Sequence, residues 1–172
     1  MLTTDQLNQY KTQGYVLIAP AIPEGMLAPL RNAAGRITER TRTGDWSHHR
    51  GTGADDIWGI GNLLHPEVGE RIFGAYIASP IVIEVVADLL GVSADPADTP
   101  LQLELVNMLV NPGKRDYEIG WHRDLVSTEQ PPEDEKAQIL QVRYGVQWNT
   151  ALYDEACLYI VPGSHIRAST SE

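Results

Sequence analysis

Residues 120–125 read GWHRDL and set an imidazole, His122, two positions from a carboxylate, Asp124. On a strand, residues i and i+2 project from one face with Cα atoms roughly 6–7 Å apart. His122 and Asp124 could therefore converge on one ion while Arg123 turns away. A neutral imidazole plus one carboxylate is two-thirds of a 2-His-1-carboxylate facial triad, a donor set that leaves positions open on Fe(II) for a cosubstrate and O2. Zn(II) or Mn(II) suits the same pair. A plainer alternative stays open: in a chain with five histidines an H-x-D step means little alone, and a hydrogen-bonded or exposed pair explains it more cheaply.

The elements that must position the pair divide by periodicity. Up to about residue 100 the pattern is helical. Thr3 and Gln6 have capping-box spacing, Leu2 and Leu7 that of a hydrophobic staple, and Gly14 is the stop, which predicts a helix to about Thr12. YVLIA (15–19) predicts a short strand. A second helix is expected from Pro23 to about Arg42, with Met26, Leu30, Ala33 and Ile37 on one stripe and a kink at Pro29. Residues 43–62, with WSHHRGTG, read as a loop. A helix is expected after His65-Pro66, and another in SPIVIEVVADLLG, with Ser79 as N-cap, Pro80 at the first position and Gly91 beyond the end. SADPADTP (93–100) is a connector.

Beyond Pro100 the period becomes two. Leu101, Leu103 and Leu105 share a face against Gln102 and Glu104. Leu140, Val142, Tyr144, Val146 and Trp148 form a second row against Gln141, Arg143 and Gln147, and CLYIV (157–161) makes a third strand ended by Pro162-Gly163. Helices followed by alternating strands suggest an antiparallel sheet with helices packed on one side. Residues 127–136, STEQPPEDEK, read as a mobile acidic loop beside the site, a lid or simply solvated.

Composition narrows the partners. The net charge of −10 argues against nucleic acid and anionic membranes, which are bound by clustered Lys and Arg. No apolar run approaches the ~20 residues that span a bilayer, and the first residues carry no secretory pattern. Cys157 stands alone, so an internal disulfide is impossible and a reducing compartment, by default the cytoplasm, is expected. The expected partner is a small molecule.

GWHRDL, the strand VQWNTAL, a turn with DEACL and then LYIVPGSH resemble, in order and spacing, the phytanoyl-CoA dioxygenase-like family of Fe(II)/2-oxoglutarate-dependent oxygenases. LTTDQLNQYKTQGYVLI resembles that family's first helix and strand, and SPIVIEVVADLLG the helix ahead of its first barrel strand. The resemblance spans about residues 2–167. Ala156 departs from it, standing where the family usually has Gly in an N-G turn. The resemblance implies an α+β, mainly β fold: a double-stranded β-helix (jelly roll, cupin-like) core preceded by packing helices. It implies one oxygenase-like domain over 1–172, mostly helical over 1–100 and holding the first jelly-roll strands over 101–172. It further implies Fe(II) held by His122 and Asp124, 2-oxoglutarate as cosubstrate, O2, and oxidation of a small organic substrate.

The resemblance implies Asn107, on the strand before the H-x-D step where the family has a cosubstrate contact, and Trp148 as candidate 2-oxoglutarate contacts. Asn107 shares the parity of Leu101, Leu103 and Leu105; the other reading is a core amide bonded to backbone, since an unsatisfied one costs roughly 1–3 kcal/mol. Trp148 sits where the family has an aromatic beside the cosubstrate, and plain core packing accounts for it equally. His48, His49 and Arg50 could line an entrance or merely a polar loop. Arg31, Arg36, Arg40 and Arg42 could meet an anionic group such as a CoA phosphate, though a solvated helix face is the simpler account.

In the family the distal iron-binding His and the Arg for the cosubstrate come from late strands, beyond PGSH. Here 48 residues follow Asp124, room for about four strands of the eight in a jelly roll. The expectation is the N-terminal part of a longer oxygenase, whose open strand edges permit self-association. His165 and Arg167 are weaker candidates for the third ligand and the cosubstrate's counter-ion, because His165 lies in a tight Pro-Gly turn where the family's pattern implies a structural place. Two alternatives remain: a non-catalytic jelly-roll binding module without a complete triad, and a cupin-like site completed by His165.

Overall fold

Thr3 opens the first helix as its spacing predicts. Its hydroxyl accepts the Gln6 N–H, and the Gln6 side chain accepts the Thr3 N–H in return, closing a capping box ahead of α1 (Thr4–Gln13). Gly14 ends α1 in the left-handed region at φ 84°. The computed structural model describes residues 1–95, 97–98, 101–124, 126–127, 129–141 and 145–170. Val142, Arg143 and Tyr144 of the second expected strand, Pro96, Thr99 and Pro100 of the connector, Leu125 of GWHRDL and Thr128 of the acidic segment lie outside the described residues. Among the described residues, five α-helices and three two-residue strands follow in the order α1, α2 (Leu27–Arg42), β1 (His49–Arg50), β2 (Gly59–Ile60), α3 (Arg71–Ile77), α4 (Pro80–Leu90), β3 (Met108–Leu109) and α5 (Pro132–Ile139). The chain divides into two compact units, one of residues 1–19, 84–99 and 119–172, the other of residues 20–83 and 100–118. No single helix among the described residues is long and apolar enough to cross a membrane.

The unit of residues 20–83 and 100–118 has an apolar core. On α2, Leu30, Ala33, Ala34, Ile37 and Thr41 are buried, a stripe at 3- and 4-residue spacing. Trp46, Ile57, Ile60, Leu63, Val68, Phe73 and Tyr76 complete it. α2 begins at Leu27 rather than Pro23, because Gly25 at φ 79° breaks the helical dihedrals. Pro29 then falls in the first turn, where an N–H would have no intrahelical acceptor. The expected loop over 43–62 holds β1, a 3-10 turn (Ala54–Asp56) and β2. β2 pairs antiparallel with both β1 and β3 (His49 with Ile60, Ile60 with Met108). The face expected for 101–105 is met in part: Leu101 is half-buried and Gln102 and Glu104 are exposed, but Leu103 and Leu105 are exposed too. From Val106 on the other parity is half-buried (Val106, Met108 and Val110, with Asn107 and Leu109 exposed). Alternation fixes a period but not which face turns inward, and a shift of one residue inverts it.

The arginines on α2 are engaged within this unit. Arg36 forms a fork on Glu70 at 2.6 and 2.7 Å. Arg40 donates to the carbonyls of Glu67 and Val68, and Arg42 to that of Asn111. Trp58 stacks on Tyr117 at 4.3 Å with Arg50 over its ring, and ion pairs join Asp55 to Lys114 and Asp56 to Arg115.

The unit of residues 1–19, 84–99 and 119–172 is held differently. Among its described residues only Ala87 and Glu135 are buried. Leu17, Ile119, Trp121, Leu140, Tyr153, Leu158, Tyr159, Ile160 and Ile166 are all exposed. Polar ties replace a core. The N-terminal ammonium meets Glu84, and the Leu2 N–H donates to Asp88, fastening the start of the chain to α4. The Gly163 N–H donates to the Gln13 carbonyl and His165 Nε2–H to that of Lys11, fastening a 3-10 turn (Ser164–Ile166) to the end of α1. His165 packs directly on Gly14, where a Cβ would overlap its ring.

Two expected strands are not ladders here. YVLIA (15–19) and CLYIV (157–161) have no strand pairing, because alternation makes a segment suitable for a sheet without supplying a neighbour. The strand expected from Leu140 begins at the C-cap of α5. Its later part keeps the predicted alternation, though it is not assigned as a strand: Val146, Trp148 and Thr150 are half-buried, and Gly145, Gln147 and Asn149 exposed. The expected acidic loop is in its second half α5. Pro132 opens that helix with three acidic residues in the first turn, which favour its positive end. At Ser79, the backbone carbonyl accepts the Val82 and Ile83 N–H groups, but the buried hydroxyl makes no cap and has no hydrogen-bond partner.

Gly14→Ala should destabilise the protein by roughly 2–4 kcal/mol, from a left-handed non-glycine residue plus overlap with the His165 ring; urea unfolding measures it, and a loss below about half of that range would show that the ring simply moves aside. Glu135 supplies a pH prediction. Its carboxyl is held below the ordinary 4.5 by the Ser169 hydroxyl and N–H and then by Arg123. The unfolded chain therefore takes up this proton more readily than the folded one. The group's contribution is complete above pH 4.5 and fades as pH falls through the lower folded value. Wild type should be more stable than Glu135→Gln at pH 7, with the gap closing below that point; a gap constant from pH 7 to 3 would refute it.

Candidate metal centre

The segment carrying His122 and Asp124 is irregular rather than a regular strand. The two side chains nonetheless turn to the same side. His122 Nδ1 lies 2.8 Å from the Gly120 carbonyl oxygen, which can only accept, so Nδ1 carries the proton. That leaves the Nε2 lone pair, and Nε2 sits 3.3 Å from Asp124 Oδ1. Two electron-rich atoms face one another there. A proton on Nε2 or a metal ion between them satisfies both.

The spacing fits an ion. Donors at about 2.0–2.2 Å from a first-row metal and at right angles to each other lie roughly 3.0 Å apart. The pair is close to that separation, and the Nδ1–H to carbonyl bond is the usual support for an imidazole that ligates through Nε2. The side chains are 54% and 53% exposed. Among the described residues no group of three or more His, Cys, Asp or Glu could hold a metal, so the centre consists here of two donors.

Arg123 turns away, as its parity predicts, with its side chain 18% exposed. Its Nε donates to Glu135 Oε1 at 2.9 Å, Nη1 to the Ser164 carbonyl at 2.8 Å and Nη2 to the Arg167 carbonyl at 3.0 Å. Glu135 also accepts the Ser169 hydroxyl at 2.7 Å and the Ser169 N–H at 2.8 Å. Glu135 falls in the expected acidic loop, where Pro131-Pro132 followed by Glu133-Asp134-Glu135 has the composition of a helix start but nothing that points to Arg123 or Ser169.

The other candidates are placed as follows. Asn107 belongs to the unit of residues 20–83 and 100–118 and is exposed rather than interior. Its side-chain oxygen accepts the N–H of Asn62 at 3.3 Å, and Asn62 has the left-handed φ of 58°. The amide thus steadies the chain as it leaves β2. Trp148 is half-buried, in the same unit as His122 and Asp124. His165 has its Nε2–H on Lys11 and its Nδ1 buried without a hydrogen-bond partner, which is the structural place the Pro-Gly turn implied. His48 lies 4.9 Å from Trp46, whose ring is 5.6 Å from His65, while His65 Nδ1 accepts the Glu67 N–H. A groove of about 590 Å³, lined by Leu63, Leu64, His65, Glu70 and Arg71 among others, contains none of His122, Asp124, Asn107 and Trp148.

Comparison with curated proteins and with solved structures gives no match. Comparison with protein families matches residues 10–171 to Phytanoyl-CoA dioxygenase (PhyH). That family implies a cupin or jelly-roll fold, of which the described residues form helices and a small antiparallel sheet. Its members are typically oxygenases, generally dependent on Fe(II) and 2-oxoglutarate. With the match running over nearly its whole length, the chain belongs to the phytanoyl-CoA dioxygenase family.

Proposed function

We propose that the chain is a non-haem Fe(II)- and 2-oxoglutarate-dependent dioxygenase acting on a small organic substrate, with His122 and Asp124 as two of its iron ligands. The observation that carries this reading is the 3.3 Å approach of His122 Nε2 to Asp124 Oδ1, with Nδ1 tied to the Gly120 carbonyl. When bound, iron and 2-oxoglutarate supply the oxidising power: O2 and the 2-oxo acid give succinate and CO2, with one oxygen atom passing to the substrate.

The chain's own residues supply geometry and charge. His122 offers a neutral donor whose tautomer is set by backbone, and Asp124 offsets one of the two metal charges. Two donors leave most of an octahedral shell for further ligands and the cosubstrate. Trp148, half-buried and in the same unit as His122 and Asp124, is the proposed contact of 2-oxoglutarate; the Asn107 side-chain oxygen accepts the Asn62 N–H instead. The acidic balance of the chain favours a small molecule over a nucleic acid or an anionic membrane, and the single cysteine suits the cytoplasm. The exposed, unpaired CLYIV segment supports self-association through a strand edge.

Anaerobic titration of the protein with Fe(II) and 2-oxoglutarate tests this. Wild type should develop a weak visible charge-transfer band that saturates at one iron per chain. His122→Ala and Asp124→Ala should each weaken iron binding by more than about a hundredfold, beyond the 10- to 100-fold typical of residues that only support a ligand. A band and an affinity unchanged in both variants would overturn the assignment.

A further inference from the structure

We infer that Arg123 and Glu135 form a positioning clamp that aims His122 and Asp124 at the metal from the far side of their own segment. The inference rests on the metal centre proposed above and names residues outside the ligand set.

His122 and Asp124 are half-exposed, and the unit around them has almost no apolar core. On their own face, the contact that steadies the imidazole is its bond to Gly120. The residue between them is held on three sides. Each Arg123 nitrogen has a different acceptor, on α5, on the 3-10 turn at 164 and on the carbonyl of residue 167. A guanidinium is a rigid plane, so three such bonds fix its orientation and, through the side chain, the backbone at 123. Residues 122 and 124 are joined to residue 123 through rigid peptide planes, so fixing the backbone at 123 restricts the directions in which both donors leave the chain.

Glu135 makes the anchor firm. It is buried, 2% exposed, and both of its oxygens accept hydrogen bonds, from Arg123 and from the Ser169 hydroxyl and N–H. A buried carboxylate stays in place because moving it would leave it unpaired. Lysine at 123 would keep the charge but could not reach three divergent acceptors.

A charge effect predicts the opposite of a positioning effect at Arg123. A cation beside a metal site opposes metal binding, so removing it by charge alone would tighten binding. Loss of positioning weakens it. The full chain is titrated with Mn(II), a redox-inert probe, and free Mn(II) is read by electron paramagnetic resonance, below the melting temperature of each variant. Arg123→Ala, Arg123→Lys and Glu135→Gln should raise the Mn(II) Kd by about 10- to 100-fold. The double variant Arg123→Ala/Glu135→Gln should be no weaker than the worse single one, because the two act as a unit. Ser169→Ala, which takes one hydroxyl from an otherwise intact clamp, should raise Kd about threefold and keeps the test decisive if the charged variants do not fold. Unchanged or tighter binding in the folded Arg123 and Glu135 variants, or an unchanged Kd in Ser169→Ala when they do not fold, overturns the clamp. Absence of Mn(II) binding in wild type, with His122→Ala no different, overturns the metal centre itself.

Discussion

A carboxylate buried away from water is stable only if its charge is answered, and Glu135 is answered by one guanidinium, one hydroxyl and one backbone N–H. That requirement organises the unit that carries His122 and Asp124. It draws α5, the residue between the two donors and the segment ending near Ser169 to one point. Hydrophobic burial is non-directional, whereas these bonds have directions. A pair such as His122 and Asp124, with side-chain atoms 3.3 Å apart, gains more from the second kind of constraint.

The two units therefore rest on different physics. Around α2 and the small sheet, apolar side chains such as Ile37, Ile57 and Ile60 are fully removed from water, each contributing roughly 1.5–3 kcal/mol. Around α1 and α5 the ties are capping bonds, ion pairs and carbonyls held by His165 and Arg123. Polar ties of this kind contribute about 1 kcal/mol each, more when a charge takes part. Local opening follows the weaker set first, so His122 and Asp124 lie in the part of the molecule that is least expensive to disorder.

What the sequence revealed follows the range of each signal. Caps are local: Thr3, Gln6 and Gly14 interact over a few residues, and their spacing was enough to place α1. The α2 stripe was legible because 3.6-residue periodicity needs only a core on one side. His122 Nε2 and Asp124 Oδ1 do approach to 3.3 Å, but on an irregular segment, so strand alternation is not what brings them together. Strands failed because a strand is a relation between segments. CLYIV and YVLIA have the composition of strands, but among the described residues no ladder joins them to a neighbour, and along 101–110 the half-buried parity switches between Leu101 and Val106. Glu135 was missed because its partners, Arg123 and Ser169, lie 12 and 34 residues away and nothing local announces them. Asn107 shows the same limit, since its bond is to Asn62, 45 residues back.

The acceptors of Arg123 differ in kind. Glu135 is recognised through its side chain, but residues 164 and 167 are recognised through main-chain carbonyl oxygens, which every amino acid carries. The same holds for Arg40 on residues 67 and 68 and for Arg42 on residue 111. Drift in side-chain identity at 164, 167, 67 and 111 would leave these anchors intact, provided the backbone path is kept. Position 135 has no such latitude: across descendants of this sequence, a replacement there should travel together with one at 123.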